Sequence, residues 1–186
     1  MRSLLAALSL PWVLLVQTPT QATRSLAALN VHWGDLPANF LPYSNQILTP
    51  GQWDVTERDA AGTAAKAGLT SISFEVFYVG ALSKHSLGTI LAHYVSPAAA
   101  RLAYLHIVAS IVKAYLADAR PLVAPDIGDE RYGFIDPVPS KAVTALYFWR
   151  GEYVASTLIR GNSNQLSPAL TVRLAGIVDG RIQHAR

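Results

Sequence analysis

Residues 142–160 read AVTALYFWRGEYVASTLIR, and this stretch decides the fold because it predicts a β-hairpin. Two runs rich in aromatic and β-branched residues, Ala142–Arg150 and Tyr153–Arg160, flank the dipeptide Gly151-Glu152. A glycine at the first central position suits a type II′ turn, whose twist matches that of paired strands. Both faces of the hairpin are largely apolar, which predicts a sheet covered on both sides. The register places on one face Val143, Ala145, Tyr147, Trp149, Val154, Ser156 and Leu158.

A second hairpin is predicted upstream of the first. Residues Leu69–Val79, LTSISFEVFYV, alternate with the period of two that is typical of a strand. The segment Thr89–Val95 predicts its antiparallel partner, and Gly80–Gly88 supplies the turn. A shorter strand is predicted at Arg131–Ile135, between prolines that break the chain on either side. We therefore expect a sheet of about five strands.

Three helices are predicted, two of them from the same N-terminal signal. Ser96-Pro97 and Ser167-Pro168 each combine a serine N-cap with a proline in the first turn, where its missing N–H costs nothing. These helices are expected to extend to about Ala119 and Ile182, and an Ala-rich helix is expected at Val55–Gly68. The residues predicted to face the core are Leu105, Val108, Val112 and Leu116 in one capped helix, and Leu170, Leu174, Ile177 and Val178 in the other.

The predicted elements follow the order α-β-β-α-β-β-β-α, with the strands in hairpins and not in βαβ units. We therefore expect an α+β fold, an antiparallel sheet with helices packed on it, in a single domain of residues 23–186. Residues 23–53 are expected to be irregular, since Pro37, Pro42 and Pro50 exclude a continuous helix or a central strand. The rings expected to clamp this segment onto the core, or to line a sugar or lipid site, are Trp33, Phe40, Tyr43 and Trp53.

The first 22 residues have the three-part layout of a secretory signal peptide. Arg2 precedes the uncharged, Leu-rich run Ser3–Val16, and a polar stretch with small residues follows up to Ala22. The apolar run is shorter than the roughly 20 residues that a membrane-spanning helix needs. We expect cleavage after Ala22, with Ala27 or Ala28 as alternative sites. Cleavage makes the mature domain an exported one: extracellular, periplasmic or associated with the cell envelope. An uncleaved segment would be its only contact with a membrane.

The composition excludes several classes of function. Of the 186 residues, 51% are hydrophobic and only 15% are charged, which is too apolar for a disordered chain. The net charge of +3 and the scattered positions of Lys and Arg provide no basic face for nucleic acid. Without cysteine, the chain has no disulfide, thiol nucleophile or thiolate metal ligand. No nucleotide-binding motif occurs, and no cofactor is expected.

The sequence assigns no catalytic residue and no metal ligand. It contains no Gly-x-Ser-x-Gly elbow and no His-x-x-x-His or His-Glu-x-x-His pair. The histidines are interpreted as surface residues, except His93, which is expected to be a hydrogen-bonded core residue. Asp129 follows Gly128 and is expected to bond backbone N–H groups in a turn, in preference to binding calcium with its acidic neighbours. Glu75 and Glu152 are isolated acids that nothing in the sequence brings together.

Three short motifs occur in a fixed order: IGDE at Ile127–Glu130, FWRGEYV at Phe148–Val154 and LAGIVDGRI at Leu174–Ile182. With DLP at residues 35–37, they resemble a loose group of mostly uncharacterised exported bacterial proteins and lipoproteins. That group is similar to the extracytoplasmic sensor domains of some bacterial serine/threonine kinases. The resemblance implies a sensor-like fold and an exported location, and it implies no catalytic residue. This chain departs from the group in having Glu152 where Asn is commoner and in lacking a lipid-anchor cysteine.

The sequence therefore predicts an exported, non-enzymatic domain of the sensor type. Its expected partner is a small apolar ligand or an envelope protein, because a curved sheet under a helix can hold an apolar cleft. Two alternatives stay open: a secreted hydrolase whose residues converge only in three dimensions, and a structural or interaction protein of the cell envelope. The residues expected to line the cleft are Tyr78, Tyr94, Tyr147 and Trp149.

Overall fold

The computed structural model describes residues 26–52, 66–79, 85–115, 119–138, 142–161 and 167–185. The predicted signal peptide lies outside these residues, as does most of the helix predicted at Val55–Gly68. Within the described ranges, every helix is too short or too polar to cross a lipid bilayer.

The described residues form one antiparallel sheet and two long helices. A short 3₁₀ helix at Trp33–Asp35 precedes them. The chain then forms strands β1 (Phe40–Leu48), β2 (Leu69–Val79) and β3 (Ser86–Tyr94) and helix α1 (Pro97–Tyr115). It continues with strands β4 (Arg120–Pro121), β5 (Glu130–Asp136), β6 (Val143–Arg150) and β7 (Tyr153–Arg160) and helix α2 (Pro168–His184). The seven described strands lie in the order β1-β2-β3-β7-β6-β5-β4, and every neighbouring pair is antiparallel. The α+β class is confirmed, whereas the number of strands and the order of elements differ from the prediction.

The two strands that the sequence analysis missed each contain a proline and lie at the edges of the described sheet. β1 contains Pro42, and its register with β2 shifts between Pro42 and Ser44. β4 is only two residues long and contains Pro121. A proline is tolerated in an edge strand because its missing N–H can face away from the hydrogen-bonded ladder. The structure therefore corrects the expectation that residues 23–53 are irregular, since β1 lies within them.

Both predicted hairpins are present. In the β6–β7 hairpin, Trp149 pairs with Val154 and Tyr147 with Ser156, so the predicted register is confirmed. Gly151 begins the turn with a φ of +55°, a backbone conformation that glycine adopts at no steric cost. β2 pairs with β3 over the predicted first strand and a longer second strand.

Both predicted serine caps are also present. The Oγ atom of Ser96 accepts a hydrogen bond from the N–H of Ala99 at 3.2 Å, and that of Ser167 accepts one from the N–H of Leu170 at 3.3 Å. These bonds satisfy backbone donors that have no partner inside the first turn of each helix.

Helix α2 closes one face of the sheet. Leu174 and Val178 are fully buried as predicted, while Leu170 and Ile177 are half-buried. The N-terminal residues Leu26, Leu29 and Val31 complete this core beside the helix. The sheet residues in the same core are Phe40, Phe77, Leu87, Leu91, Leu146, Phe148, Ala155 and Ile159.

Helix α1 packs on the opposite face of the sheet, but the residues that it buries are not the predicted ones. Leu105 was expected in the core but is 43% exposed. Apolar residues occur on nearly every side of α1, so its periodicity does not single out one face, and the small alanines form the contact. The residues that α1 buries are Ala100, Ala103 and Tyr104. Of the other residues expected there, Val108 and Val112 are half-buried and Leu116 lies outside the described residues.

An arginine–carboxylate cluster joins the central hairpin to α2. Arg150 donates from Nε and Nη2 to the two carboxylate oxygens of Asp179, and its Nη1 lies 3.3 Å from Oδ1 of Asp129. Asp129 also accepts the N–H of Gly151 at 2.9 Å, which is the kind of backbone bond predicted for it. The hydrogen bonds to Asp179 hold the pKa of Arg150 above its ordinary value. The three motifs that carry the family resemblance therefore meet in this cluster.

A second arginine–carboxylate pair attaches the N-terminal segment to α2. Arg181 donates from Nη1 and Nη2 to the two carboxylate oxygens of Asp35, both at 2.9 Å. Burial by itself would raise the pKa of Asp35, but the hydrogen bonds from Arg181 and from the N–H of His32 outweigh it and lower that pKa. The segment before β1 is thus held by charge as well as by its buried leucines.

Replacing Asp179 by alanine is expected to lower the free energy of unfolding by about 3 kcal/mol, because the Arg150 guanidinium then loses its buried counter-charge. Urea unfolding measures this loss. The matched control is the exposed Arg101–Glu130 pair, whose side chains are 54% and 40% exposed. Glu130→Ala is expected to cost less than about 1 kcal/mol. Equal losses of stability in Asp179→Ala and Glu130→Ala would contradict the stabilising role given to the Arg150–Asp179 contact.

Gly128→Ala is expected to destabilise the protein by at least about 2 kcal/mol. Gly128 has a φ of +71°, and a Cβ atom there would lie 2.8 Å from the carbonyl oxygen of Trp149 and 2.9 Å from Cβ of Phe148. Gly180 lies inside α2 with nothing within 4 Å of a built Cβ atom, so Gly180→Ala is expected to stabilise by about 0.5–1 kcal/mol. Thermal unfolding of both variants tests the opposite signs.

Candidate functional site

A cleft of about 430 Å³ lies between α1 and the sheet face that α1 covers. Ile107 and Ile111 of α1 form one wall. Strands β2, β3, β7, β6 and β5 form the other, and their side chains there are mostly aliphatic or aromatic. Examples are Phe74, Val76, Ile90, Val143 and Leu158.

The cleft exists because α1 packs differently at its two ends. Near its N-terminus, the alanines and Tyr104 of α1 belong to one buried cluster with Ala92 and Tyr94 of β3. Further along, the helix and the sheet leave a gap. Gly88 of β3 lines this gap, and a Cβ atom built on it would meet no heavy atom within 4 Å. A glycine in the strand therefore leaves open the space that a side chain would fill.

Polar groups are few among the described residues that line the cleft. They are Ser86, Ser156, Lys66 and Arg160, together with the hydroxyl groups of three tyrosines. Burial raises the pKa of Tyr94 well above its ordinary value of 10.0, so this phenol stays neutral at every physiological pH. An apolar pocket with a small number of polar groups is the usual composition of a small-molecule site.

The structure brings together three of the four residues that the sequence analysis expected to line a cleft. Tyr78, Tyr94 and Tyr147 all border it. Trp149 lies on the same sheet face but packs into the cluster beneath the N-terminal half of α1. Its Nε1 atom is buried without a hydrogen-bond partner among the described residues. The alternation of β6 predicted the face correctly: Tyr147 and Trp149 both pack against this cluster, and Tyr147 also borders the cleft.

Two lining residues that the sequence analysis did not single out are Gly88 and Arg160. Gly88 was interpreted as part of a turn, although it lies inside β3. Arg160 was recognised only as the last residue of its strand. The sequence signal that could have found them is the cross-strand register on this face. Gly88 pairs with Val76, and Arg160 lies in the same cross-strand row as Tyr78.

Of the three described N-terminal aromatic residues that were expected to clamp the segment or line a site, only Phe40 is buried in the core, whereas Trp33 is 57% exposed. Nε1 of Trp33 donates to the carbonyl oxygen of Phe40 at 2.8 Å, and Phe40 is buried. Tyr43 is 71% exposed and makes an edge-to-face contact with Tyr78, with the ring centroids 4.7 Å apart. Trp53 lies outside the described residues.

Thr70, His93 and Glu152 form a hydrogen-bonded chain outside the cleft. Oγ1 of Thr70 lies 2.7 Å from Nδ1 of His93, and Nε2 of His93 lies 3.4 Å from Oε2 of Glu152. This order of hydroxyl, imidazole and carboxylate is also found in hydrolases. The Thr70 hydroxyl also lies within hydrogen-bond distance of the carbonyl oxygen of His93, at 2.9 Å, which ties it to the backbone of β3. The chain fits a structural bridge between β2, β3 and the β6–β7 turn.

Among the described residues, no Asp or Glu lines the cleft. Glu75 is buried in the middle of β2 on the α2 face, while Glu152 lies in the turn after β6. Oδ1 of Asp136 accepts the N–H of Val138 at 3.0 Å, and Asp126 lies 3.4 Å from Arg131. Among the described residues, no group of three or more His, Asp or Glu side chains is arranged to hold a metal ion.

No protein-family model matches this chain, and no curated protein matches it. Among solved structures, the extracellular domain of PknH from Mycobacterium tuberculosis superposes on it with a TM-score of 0.67. The superposition covers 87% of this chain and 96% of that domain, at 8% sequence identity. The two chains share a fold. The sensor-like fold that the motifs implied is therefore supported, and at this identity the likeness concerns the fold alone.

Glu75→Gln is expected to flatten the dependence of stability on pH. Burial raises the pKa of Glu75 from 4.5 to about 7, and its Oε1 atom has no hydrogen-bond partner among the described residues. Between these two pH values the folded state keeps a proton that the unfolded state has lost. Stability therefore falls as the pH rises through this window, by up to about 3 kcal/mol. Urea unfolding from pH 4 to 8 measures this change in the free energy of unfolding. If Glu75→Gln leaves the dependence of stability on pH unchanged, Glu75 is not its source.

Proposed function

We propose that this chain is an exported, sensor-type domain that binds a small apolar ligand in the cleft between α1 and the sheet. The observation that carries the proposal is the cleft itself: about 430 Å³, mostly apolar walls, and a glycine at its floor. Small-molecule sites in proteins span roughly 300–1,000 Å³ and combine apolar walls with a few polar groups. The cleft has this size and this composition.

The export part of the proposal has two supports. The first 22 residues have the layout of a signal peptide, with an apolar run too short to span a bilayer. The fold is shared with a domain that is extracellular in its own protein. A sensor outside the cytoplasm would report its ligand through a change in how a partner contacts the domain.

The Gly88→Leu variant tests ligand binding directly. A leucine side chain would enter the open space in the cleft without a clash at Cβ, and it would occupy the volume that the ligand needs. We expect the variant to bind the neutral fluorescent probe N-phenyl-naphthylamine at least about tenfold more weakly than the wild-type domain, since it buries less apolar ligand surface. Fluorescence titration measures the affinity, and thermal unfolding checks that the variant remains folded.

The matched control is Gly34→Leu, because a Cβ atom at Gly34 also meets nothing within 4 Å and Gly34 lies in the exposed 3₁₀ helix, away from the cleft. It is expected to bind the probe as the wild-type domain does. Equal binding by all three proteins would place the probe elsewhere and contradict the proposal, as would a wild-type domain that binds no probe.

A further inference from the structure

The cleft has a cation at one end. Arg160 is the last residue of β7 and pairs across the sheet with Ser86 of β3, which pairs in turn with Tyr78 of β2. All three residues line the cleft. The Ser86 hydroxyl lies on the strand next to that of the Arg160 guanidinium, and the Tyr78 hydroxyl lies one strand further along the same row, so this end of the cleft carries a cation and two hydroxyl donors. This is the chemistry that binds the oxygens of a carboxylate or a phosphate.

The charge of Arg160 is not neutralised within the described part of the chain. It forms no ion pair there, whereas other arginines do, each within 3.4 Å of a carboxylate oxygen: Arg101, Arg131, Arg150 and Arg181. The acid in the same cross-strand row is Asp136, two strands away beyond Val143, a separation of about 10 Å. Asp136 is buried, and its Oδ1 atom accepts the N–H of Val138. Arg160 is therefore available to an anion from outside the chain.

Apolar side chains follow Arg160 along the strands. Tyr94 and Leu69 border the far end of the cleft, and Tyr94 is eight residues from Ser86 on β3, a length of about 26 Å. Lys66, close to Leu69 in the chain, is already engaged in an interaction within the protein. The cross-strand rows next to Arg160 are Val76–Gly88–Leu158 and then Phe74–Ile90–Ser156.

We infer that the ligand is a single-chain amphipath with one anionic head group, which Arg160 binds while the alkyl chain lies over Gly88 toward Tyr94. This inference rests on the proposed function and specifies its ligand. A fatty acid and a monoalkyl phosphate share the required chemistry, an unbranched chain that buries apolar surface and a head group that accepts hydrogen bonds from a guanidinium. A neutral alkyl alcohol has the same chain without the charge.

Displacement of N-phenyl-naphthylamine by dodecanoate, dodecyl phosphate and dodecanol, at pH 8 and low salt, tests the inference. We expect the wild-type domain to bind an anionic amphipath at least about tenfold more tightly than the alcohol, since hydrogen bonds to charged groups are the stronger kind. Arg160→Gln is expected to lose that preference while it binds the alcohol as before. Dodecanoate and dodecyl phosphate used separately distinguish the two kinds of head group.

Arg120→Gln is the matched control. Arg120 is an exposed arginine at the end of a strand, has no ion pair among the described residues, and does not line the cleft. It is expected to keep the wild-type preference for anions. Arg160→Lys, which retains the charge, is expected to restore part of the preference that Arg160→Gln loses.

The outcomes distinguish a failure of the inference about the head group from a failure of the proposed function. Equal displacement by the anions and the alcohol in the wild-type domain would overturn the inference about the head group. An anion preference that survives in Arg160→Gln would also overturn it, and in both cases the apolar site would stand. If the wild-type domain binds neither the probe nor any of the three amphipaths, the proposed function itself fails.

Discussion

The contact between Arg150 and the buried carboxylate of Asp179 is the interaction on which the arrangement of this domain depends. A carboxylate that is only 3% exposed is tolerated when a cation pairs with it and hydrogen bonds satisfy its oxygens. Arg150 does this from the end of β6 and also contacts Asp129, which bonds the turn that follows. One guanidinium thus fixes α2, the central hairpin and the turn before β5 relative to one another. The three short motifs of the sequence therefore meet at one contact.

The two faces of the sheet have different physical roles. On the α2 face, Leu174, Val178 and Ile182 pack against aromatic and branched side chains, and the core is closed. On the α1 face, small alanines bring one end of the helix close to the sheet, while Gly88 leaves a gap under the other end. A close-packed interior rarely leaves such a space, so a partly open apolar face is a natural place for a ligand. The two ends of the cleft differ chemically, because the cation Arg160 lies at one end and the neutral Tyr94 hydroxyl at the other.

Much of the fold could be predicted from the sequence because its signals are local. The alternation of β2, the hairpin at Gly151 and the two Ser-Pro caps each involve residues close together in the chain, and each was confirmed. β1 and β4 were missed because proline argues against a strand unless the strand lies at an edge, and edge position is a property of the whole sheet. The buried stripe of α1 was misassigned since its apolar residues surround the helix and several stripes were compatible with the pattern.

The sequence by itself determined the class of the fold, the face on which the residues of β2, β6 and β7 lie and the chemistry available at the site, since side-chain identity and period-two alternation are properties of neighbouring residues. It therefore indicated three of the cleft tyrosines before any packing was known. Only the tertiary structure decided that Trp149 lies beneath α1, that Gly88 opens a cleft and that Arg160 stands at its end with no ion pair to any described residue. Those facts depend on where a helix rests on a sheet and on which distant strands become neighbours, and residues far apart in the chain carry no local signal of either.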